Sequence, residues 1–292
     1  MKLTHCVTLL TLSAMLASVA SAQTREPVYR VGAKVDRATQ GESHPLDAAL
    51  ERARHGLQRI RKGDPARNIE PLRDYTCFMF KRERVNGKLN PTNQIFCKIR
   101  NEHIDATGRK VPFSVYMYFH GPADVKGREC IYVDGQNNNK LCAHEGGPRG
   151  NWLPTVWLKP EGALAMKGQL YPITTAGLEN MVLKLIERGT AERKFRPDEC
   201  QVTFKKGVTI NKRPCTLLTV SHPVRRPTYE FSLAEIFIDD ELELPVRYVA
   251  YDWPKSGEAK GEIQEEYTHV EIKTNVGLKD IDFDPKNPDY NF

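Results

Sequence analysis

The sequence lacks two features that would place this chain across a membrane or on a nucleic acid. After the N-terminal segment, no stretch approaches the roughly 18 consecutive apolar residues that a membrane-spanning helix needs. The 43 basic and 37 acidic residues give a net charge of +6, and they are interspersed, with no long block of Lys and Arg. Nucleic-acid-binding proteins usually concentrate basic residues on one face or in one segment. We therefore expect no nucleic-acid partner and no membrane-spanning helix.

The sequence also lacks the motifs that would identify an enzyme. It contains no H-E-x-x-H motif, no G-x-S-x-G motif and no Gly-rich phosphate loop after a strand, and its histidines are scattered. Asp280, Asp282 and Asp284 match the first three ligand positions of a calcium-binding EF-hand loop. However, Pro285 stands where that loop needs glycine, and Asn291 stands where it needs glutamate. We therefore predict no catalytic residue, no metal ligand and no cofactor.

The sequence does contain an export signal. Lys2 precedes an apolar stretch, and Ala20-Ser21-Ala22 has the small-residue pattern of a cleavage site, so we predict a signal peptide over 1–22. No cysteine follows the apolar stretch at the position that lipid attachment requires. We expect an exported protein, periplasmic or extracellular, soluble and not lipidated. A polar, flexible lead-in over 23–43 should precede a single domain over 44–292.

Six cysteines remain after the signal peptide, and they form three pairs around turn signals: Cys77 and Cys97, Cys130 and Cys142, and Cys200 and Cys215. We predict that each pair is a disulfide bridge across a hairpin, as is typical of exported proteins. The third pairing predicts a two-residue Gly207-Val208 loop of type II′. In the first hairpin, an Asn86-Gly87 turn brings Cys77 opposite Cys97 only if the loop is longer or a bulge follows.

Two segments have the apolar spacing of amphipathic helices. Over 45–62, apolar residues recur at helical spacing, and Pro45 and Gly63 suit the two ends. The opposite face is basic, so this helix either covers a core with its charged face in water or lies on a membrane surface. A second helix is predicted over about 175–188. Its apolar stripe consists of Leu178, Met181, Val182, Leu185 and Ile186.

Most of the remaining sequence alternates with the period of two that is typical of strands. The clearest strand covers 112–120, where Phe113, Val115, Met117 and Phe119 share one face. Sequential strands joined by short turns predict an antiparallel meander. The expected fold class is mainly β with helices (α+β), with an antiparallel sheet of about ten or eleven strands and two main helices.

The C-terminal third carries a resemblance to a known superfamily. It reads Ile-Phe-Ile-Asp-Asp-Glu-Leu-Glu-Leu-Pro over 236–245, then an alternating strand that ends at Asp252, then Asn275-Val276-Gly277-Leu278 before Phe283. This pattern resembles the outer-membrane lipoprotein carrier superfamily (LolA/LolB-like). The cysteines and the ending over 282–292 resemble, more closely, a bacterial secreted family called domain of unknown function 1571.

The resemblance implies a strongly curved antiparallel sheet that forms an incomplete β-barrel. The two helices cover its concave side, which holds an apolar cavity for acyl chains. The expected cavity face is that of Phe113, Val115, Met117 and Phe119. The expected lid is the stripe of Leu178, Met181, Val182 and Leu185. The alternative is that both sets are filled core.

The resemblance also implies a function without catalysis. It predicts an envelope carrier or sensor that binds an apolar ligand, either a lipid or the acyl chains of a lipoprotein, with peripheral membrane or lipoprotein contact. Two alternatives remain open: a structural or partner-binding module of the same fold without a ligand cavity, and a secreted hydrolase.

Overall fold

Alternating apolar and polar residues place all the long strands of the described chain in one antiparallel sheet. The computed structural model describes residues 29–30, 35–37 and 44–292, and its main sheet has 14 strands, beside a separate two-stranded sheet. In chain order, the strands are β1 (Tyr29–Arg30), β2 (Val35–Arg37), β3 (Asp74–Val85), β4 (Lys88–Leu89), β5 (Asn93–Arg100), β6 (His103–Ile104), β7 (Lys110–Val111), β8 (Ser114–Gly121), β9 (Glu129–Val133), β10 (Leu141–His144), β11 (Val156–Leu158), β12 (Gln201–Ile210), β13 (Arg213–Ser221), β14 (Leu233–Asp239), β15 (Pro245–Tyr251) and β16 (Ile263–Thr274).

The main sheet consists of two meanders joined along their long first and last strands. Its order is β1-β12-β13-β14-β15-β16-β3-β5-β8-β9-β10-β11, with β2 beside β12 and β4 beside β3. Strand β16 pairs with β3 and thereby joins the two halves. Within the described ranges the end strands β1 and β11 do not pair with each other, so the sheet does not close. The α+β fold class is confirmed, whereas the sheet has 14 strands and not the predicted ten or eleven. Only ten strands in the described ranges, β3, β5, β8–β10 and β12–β16, have at least four residues, and the short ones carry too little alternation to be predicted.

Both predicted helices form, α1 over Leu46–Lys62 and α2 over Leu178–Glu192. They pack side by side on one face of the sheet, called here the helix face. The apolar residues of α1 are buried against the sheet, so α1 covers the core, and the alternative in which its apolar face lies on a membrane is wrong. Short 3₁₀ helices cover Pro65–Arg67, Asn137–Asn139, Gly147–Trp152, Ile173–Thr175, Pro197–Glu199 and Asp280–Phe283.

The opposite face of the sheet is partly covered by the C-terminal residues. The ring of Tyr290 stacks on that of Tyr116, with ring centroids 4.1 Å apart. The backbone N–H of Asn291 donates to Oε1 of the buried Glu129 at 3.1 Å. These contacts hold the end of the chain against β8 and β9.

Two of the EF-hand-like aspartates connect this C-terminal tail to β5. The guanidinium of Arg100 lies 2.7 Å from an Asp280 carboxylate oxygen, and the Lys98 ammonium lies 2.6 Å from an Asp282 carboxylate oxygen. Their carboxylates thus have cationic partners from the protein itself.

The first hairpin has the predicted turn and the predicted extra residue. Asn86 and Gly87 both have positive φ, 50° and 79°, and connect β3 directly to β4. Such a pair of φ values is the signature of a type I′ turn, for which Asn-Gly is the favoured sequence. The register then shifts by one residue between β4 and β5, which brings Cys77 opposite Cys97.

The third hairpin has a different loop from the one predicted. Strand β12 continues through Gly207, and the turn is Asn211-Lys212, whose residues both have positive φ, 45° and 69°. The register shifts between Lys205 and Val208, so the glycine marks a bulge inside the strand and not the hairpin loop. As a result, Cys215 lies opposite Val208, and the predicted bridge to Cys200 is wrong.

The second predicted bridge is also wrong, because of the register between β9 and β10. Cys130 is opposite Ala143, whereas Cys142 is opposite Ile131. Directly opposite residues share a face and successive residues alternate, so Cys130 and Cys142 point to opposite faces of the sheet. Cys130 packs against the core of the helix face, and Cys142 belongs to the cluster on the other face.

All six cysteines in the described part of the chain are free in this structure, and only one predicted pair has the geometry for a bridge. Cys77 and Cys97 are direct cross-strand partners, and both are buried. Direct partners have Cα atoms about 4.5–5.5 Å apart, within the range that a disulfide spans.

We predict a single intrachain bridge, Cys77–Cys97, in protein exported to an oxidising compartment. Peptide mapping without reduction should recover these two residues in one linked peptide. After unfolding, the other four cysteines should all react with a thiol reagent. Recovery of a Cys130–Cys142 peptide would contradict the register of β9 and β10.

The remaining predictions concern the N-terminal region and membrane-spanning helices. The signal peptide over 1–22 and most of the lead-in over 23–43 lie outside the described residues. Strands β1 and β2 lie within the predicted lead-in and pair with β12. No helix within the described ranges has the length and apolar character needed to cross a membrane.

Candidate functional site

The strand face that was predicted to line a cavity lies in filled core. Val115, Met117 and Phe119 of β8 are buried, and Phe113, just before the strand, packs against the same cluster. The predicted lid residues Leu178 and Val182 of α2 belong to this cluster too. These residues fill the space between α2 and β8. The cavity lies elsewhere, over the other half of the sheet.

An apolar cavity of about 60 Å³ lies between α1, α2 and strands β13–β15. Its lining is mostly aliphatic and aromatic. Helix α1 contributes Leu46, Ala49, Leu50, Arg52 and Ala53; α2 contributes Val182, Leu185, Arg188, Gly189 and Glu192; and the sheet side contributes Leu218, Val220, Phe231, Ala234, Ile236, Ile238, Glu243, Pro245 and Tyr248. Two of the four predicted lid residues, Val182 and Leu185, therefore face this cavity.

Small residues set the shape of the cavity. Ala49 on α1 and Ala234 on β14 line it without filling it. At Gly189, a Cβ atom would lie 2.9 Å from Leu50 Cδ2, so glycine allows α1 and α2 to approach closely at this point. The apolar stripe of α2 thus covers the sheet while the alanines leave space beneath it. Met181, the last of the predicted lid residues, packs against the surrounding cluster.

Arg188 connects α2 to the sheet at the edge of the cavity. Its Nη1 donates to the Tyr248 hydroxyl and to Glu265 Oε1, both at 2.8 Å. Its Nη2 donates to the Tyr171 hydroxyl at 2.6 Å and lies 3.0 Å from Glu230 Oε2. One buried guanidinium therefore links the helix to β15, to β16 and to two connecting segments.

Glu192 lies one turn further along α2 and lines the same cavity. Only 8 % of its side chain is exposed, and its Oε2 lies 3.6 Å from Nε2 of His222, which is fully buried. Burial, followed by the charge of Glu230, raises the pKa of the Glu192 carboxyl to about 7. Burial lowers the pKa of His222. The mostly apolar lining thus has a polar end at Glu192, and its other charged residues are Arg52, Arg188 and Glu243.

Arg188 and Glu192 belong to no recognised motif, but the helical spacing of the sequence indicates both of them. Arg188 and Glu192 continue the spacing of Leu178, Val182 and Leu185 along one face of α2. Charged residues on an apolar helical stripe are buried when the helix packs, and buried charges need partners. By contrast, no group of three or more metal-ligating side chains converges anywhere in the described ranges.

We predict that Glu192 makes the folded protein less stable as the pH rises. Its pKa rises from 4.5 to about 7 on folding, so the folded state binds the proton more tightly than the unfolded state. The contribution is therefore fully present below pH 4.5 and is lost as the pH rises towards 7. Glu192→Gln should match the wild type at pH 4 and be more stable by up to about 3 kcal/mol at pH 8.

Urea unfolding of both proteins across this pH range measures the difference. The comparison cancels the opposite trend from His222, whose lowered pKa favours the folded state as the pH rises. Identical pH profiles for Glu192→Gln and wild type would contradict the assignment.

Comparison with known proteins identifies the family. The family described as "Protein of unknown function (DUF1571)" matches residues 72–292. The chain belongs to this family. No curated protein is significantly similar to it. The DUF1571 family has no assigned function, so the geometry of the cavity carries the proposal that follows.

Several solved structures are distantly similar to this DUF1571 protein. A putative outer membrane lipoprotein-sorting protein domain from Vibrio parahaemolyticus shares 12% identity, with 80% of this chain and 95% of that chain covered and a TM-score of 0.37. The MucA/MucB complex of Pseudomonas aeruginosa shares 13% identity, with 81% of this chain and 60% of that chain covered and a TM-score of 0.41. A LolA superfamily protein from Nitrosomonas europaea shares 8% identity, with 80% of this chain and 97% of that chain covered and a TM-score of 0.30.

Proposed function

We propose that this protein is a non-enzymatic carrier or sensor of the cell envelope that binds an acyl chain between its two helices and the sheet. The observation that carries the proposal is the apolar cavity beneath α1 and α2. Its lining provides aliphatic and aromatic contacts from three sides. Such a lining binds a hydrocarbon chain through burial alone and needs no catalytic group.

The size of the cavity requires the helices to move when a ligand enters. The present volume of about 60 Å³ has room for about four to six water molecules, at roughly 10–15 Å³ each. An acyl chain is larger, so α1 and α2 must separate from the sheet to admit it. Burial of about twelve CH₂ groups contributes about 10 kcal/mol, which is comparable with the cost of association and of this opening.

Native mass spectrometry of protein purified from its own host tests the proposal. A carrier or sensor should retain a lipid mass, and delipidated protein should bind a fluorescent acyl probe. The alternative of a structural module with a filled core predicts neither. If the purified protein carries no lipid and also fails to bind the probe, the proposal is wrong.

The proposal includes contact with a membrane surface, supported by exposed apolar residues between α2 and β10. Trp152 is 85 % exposed and Leu164 is 65 % exposed. Other exposed apolar side chains of this segment are Leu153, Val156, Trp157 and Leu170. Tryptophan and leucine beside lysines, here Lys159 and Lys167, suit the boundary between lipid headgroups and acyl chains.

Trp152→Ser should therefore weaken binding to phosphatidylglycerol-containing vesicles on the order of tenfold, because one large apolar side chain no longer enters the interface. Vesicle co-sedimentation measures the change. Ile104→Ser is the matched control, since Ile104 is 61 % exposed but lies on β6, far along the chain. Equal binding by wild type and Trp152→Ser would remove this part of the proposal.

A further inference from the structure

The polar end of the cavity contains a largely buried carboxyl group. Glu192 lines the cavity, and its Oε2 lies 3.6 Å from His222 Nε2, beyond hydrogen-bond distance. A buried carboxyl group is stabilised by a hydrogen-bond partner. Because Glu192 lines the cavity, a ligand held there can supply that partner.

His222 presents an unpartnered acceptor to the same point. Its Nδ1 lies 3.2 Å from the Phe231 carbonyl oxygen, which can only accept, so Nδ1 carries the proton. Its Nε2 is then an acceptor, and it is buried without a partner in the described part of the chain. The ring is held in place by stacking on Tyr229, with centroids 4.1 Å apart. The stacked ring of His222 thus places its Nε2 3.6 Å from the Glu192 carboxyl group.

The charges around this point disfavour an anionic ligand. Arg188 is the cation nearest to Glu192 on α2, but it already pairs with Glu265 and Glu230. Arg52 also lines the cavity, from α1, but the charges that act on the Glu192 carboxyl are those of Glu230 and Arg188. His222 lies 3.6 Å from Glu192. The other titratable or charged groups that interact electrostatically with it are Arg188, Cys200, Tyr229, Glu230 and Tyr248.

We propose that Glu192, backed by His222, binds the hydroxyl group of a neutral acyl ligand such as a fatty alcohol or a monoacylglycerol. This inference rests on the proposed function and specifies its ligand class. A hydroxyl can donate one hydrogen bond and accept others, and a carboxyl group can pair with it in either protonation state. The acyl chain then lies along the apolar lining, and the polar end fixes its direction. Anionic headgroups are excluded by the carboxylates at this end.

Competition between ligands that share a decyl chain or its ten-carbon acid tests the proposal on the full mature protein. A neutral fluorescent probe, N-phenyl-1-naphthylamine, is bound first, and 1-decanol, decyl methyl ether, decanoate or decylamine is added as competitor. The methyl ether lacks the hydroxyl donor of decanol and carries one additional methyl group, whose burial would favour the ether. We expect decanol nevertheless to bind about tenfold more tightly than the ether, and more tightly than either charged ligand. Decanoate should bind more weakly at pH 8 than at pH 6, because Glu192 loses its proton across this range.

Variants of Glu192 distinguish recognition of the ligand hydroxyl from burial of the acyl chain in the cavity. Glu192→Leu should bind decanol and the ether equally, while still binding both. Glu192→Gln, which keeps hydrogen-bonding capacity without a charge, should keep the preference for decanol and remove the pH dependence of decanoate binding. Glu187→Leu is the control on α2, because Glu187 is 69 % exposed and pairs only with Lys184, and it should behave as wild type.

Each outcome decides between the two proposals. If none of the four ligands displaces the probe from the wild type, the proposed function itself fails. If all bind but decanol and the ether are equal in the wild type, the ligand class is wrong while acyl binding stands. The ligand class is also wrong if decylamine or decanoate binds most tightly, or if Glu192→Gln loses the preference for decanol. Glu192→Gln settles the question if Glu192→Leu does not fold.

Discussion

Methionine in place of Arg188 is expected to lower the free energy of unfolding by about 3–5 kcal/mol, which is the usual cost of removing one partner from a buried ion pair. Arg188 and Glu265 are both largely buried, and their atoms lie 2.8 Å apart. Methionine can fill part of the space but leaves the Glu265 carboxylate without its cation. The Tyr248 and Tyr171 hydroxyls lose a hydrogen bond as well.

Urea unfolding at pH 7 measures the effect, and two further variants serve as controls. Lys184 lies on the exposed side of the same helix, so Lys184→Met should change the free energy of unfolding by less than about 0.5 kcal/mol. Adding Glu265→Gln to Arg188→Met should restore part of the loss, because the unpaired charge is removed. A loss below about 1 kcal/mol for Arg188→Met would show that the pair does not hold α2 to the sheet.

Leucine in place of Ala234 is expected to weaken acyl-chain binding by about 2 kcal/mol, or about thirtyfold, without unfolding the protein. Ala234 lies on β14, is buried, and lines the cavity. The added carbons occupy the space that the ligand needs. Because that space is empty in the structure, stability should change by less than about 1.5 kcal/mol.

Displacement of the fluorescent acyl probe measures this prediction. The matched control is Ala191→Leu, since Ala191 is an exposed residue of α2 and its substitution adds the same carbons outside the cavity. Unchanged affinity in Ala234→Leu would mean that the chain binds elsewhere. A comparable loss in Ala191→Leu would mean that the effect is indirect.

Local periodicity explains which parts of the fold were predictable. The helix over 45–62 and the strands around Cys77 and Cys97 are set by spacing within a short window, and they form as expected. The predicted loop of the third hairpin was wrong because two possible turns lie close together in the sequence. The chain turns at Asn211-Lys212, and Gly207 forms a bulge inside the strand. That shift moves every cross-strand partner, including those of the cysteines.

The location of the cavity could not be read from the sequence for a different reason. It depends on where α1 and α2 cross the sheet and on small residues from three distant segments, such as Ala49, Gly189 and Ala234. The strand with the clearest alternation, β8, packs against α2 in a buried apolar cluster. A strong apolar pattern predicts burial, and it does not distinguish a filled core from a site that admits a ligand.

Photo-crosslinking with an acyl chain that carries a diazirine tests the central claim most directly, because it reports where the chain lies. The proposal predicts labelled peptides from the cavity lining, chiefly around Leu185 on α2, Leu218 on β13 and Ile236 on β14. Ala234→Leu should reduce this labelling, whereas Ala191→Leu should not. Labelling confined to β8 or to the exposed segment over 152–170, or no labelling above that of unfolded protein, would contradict it.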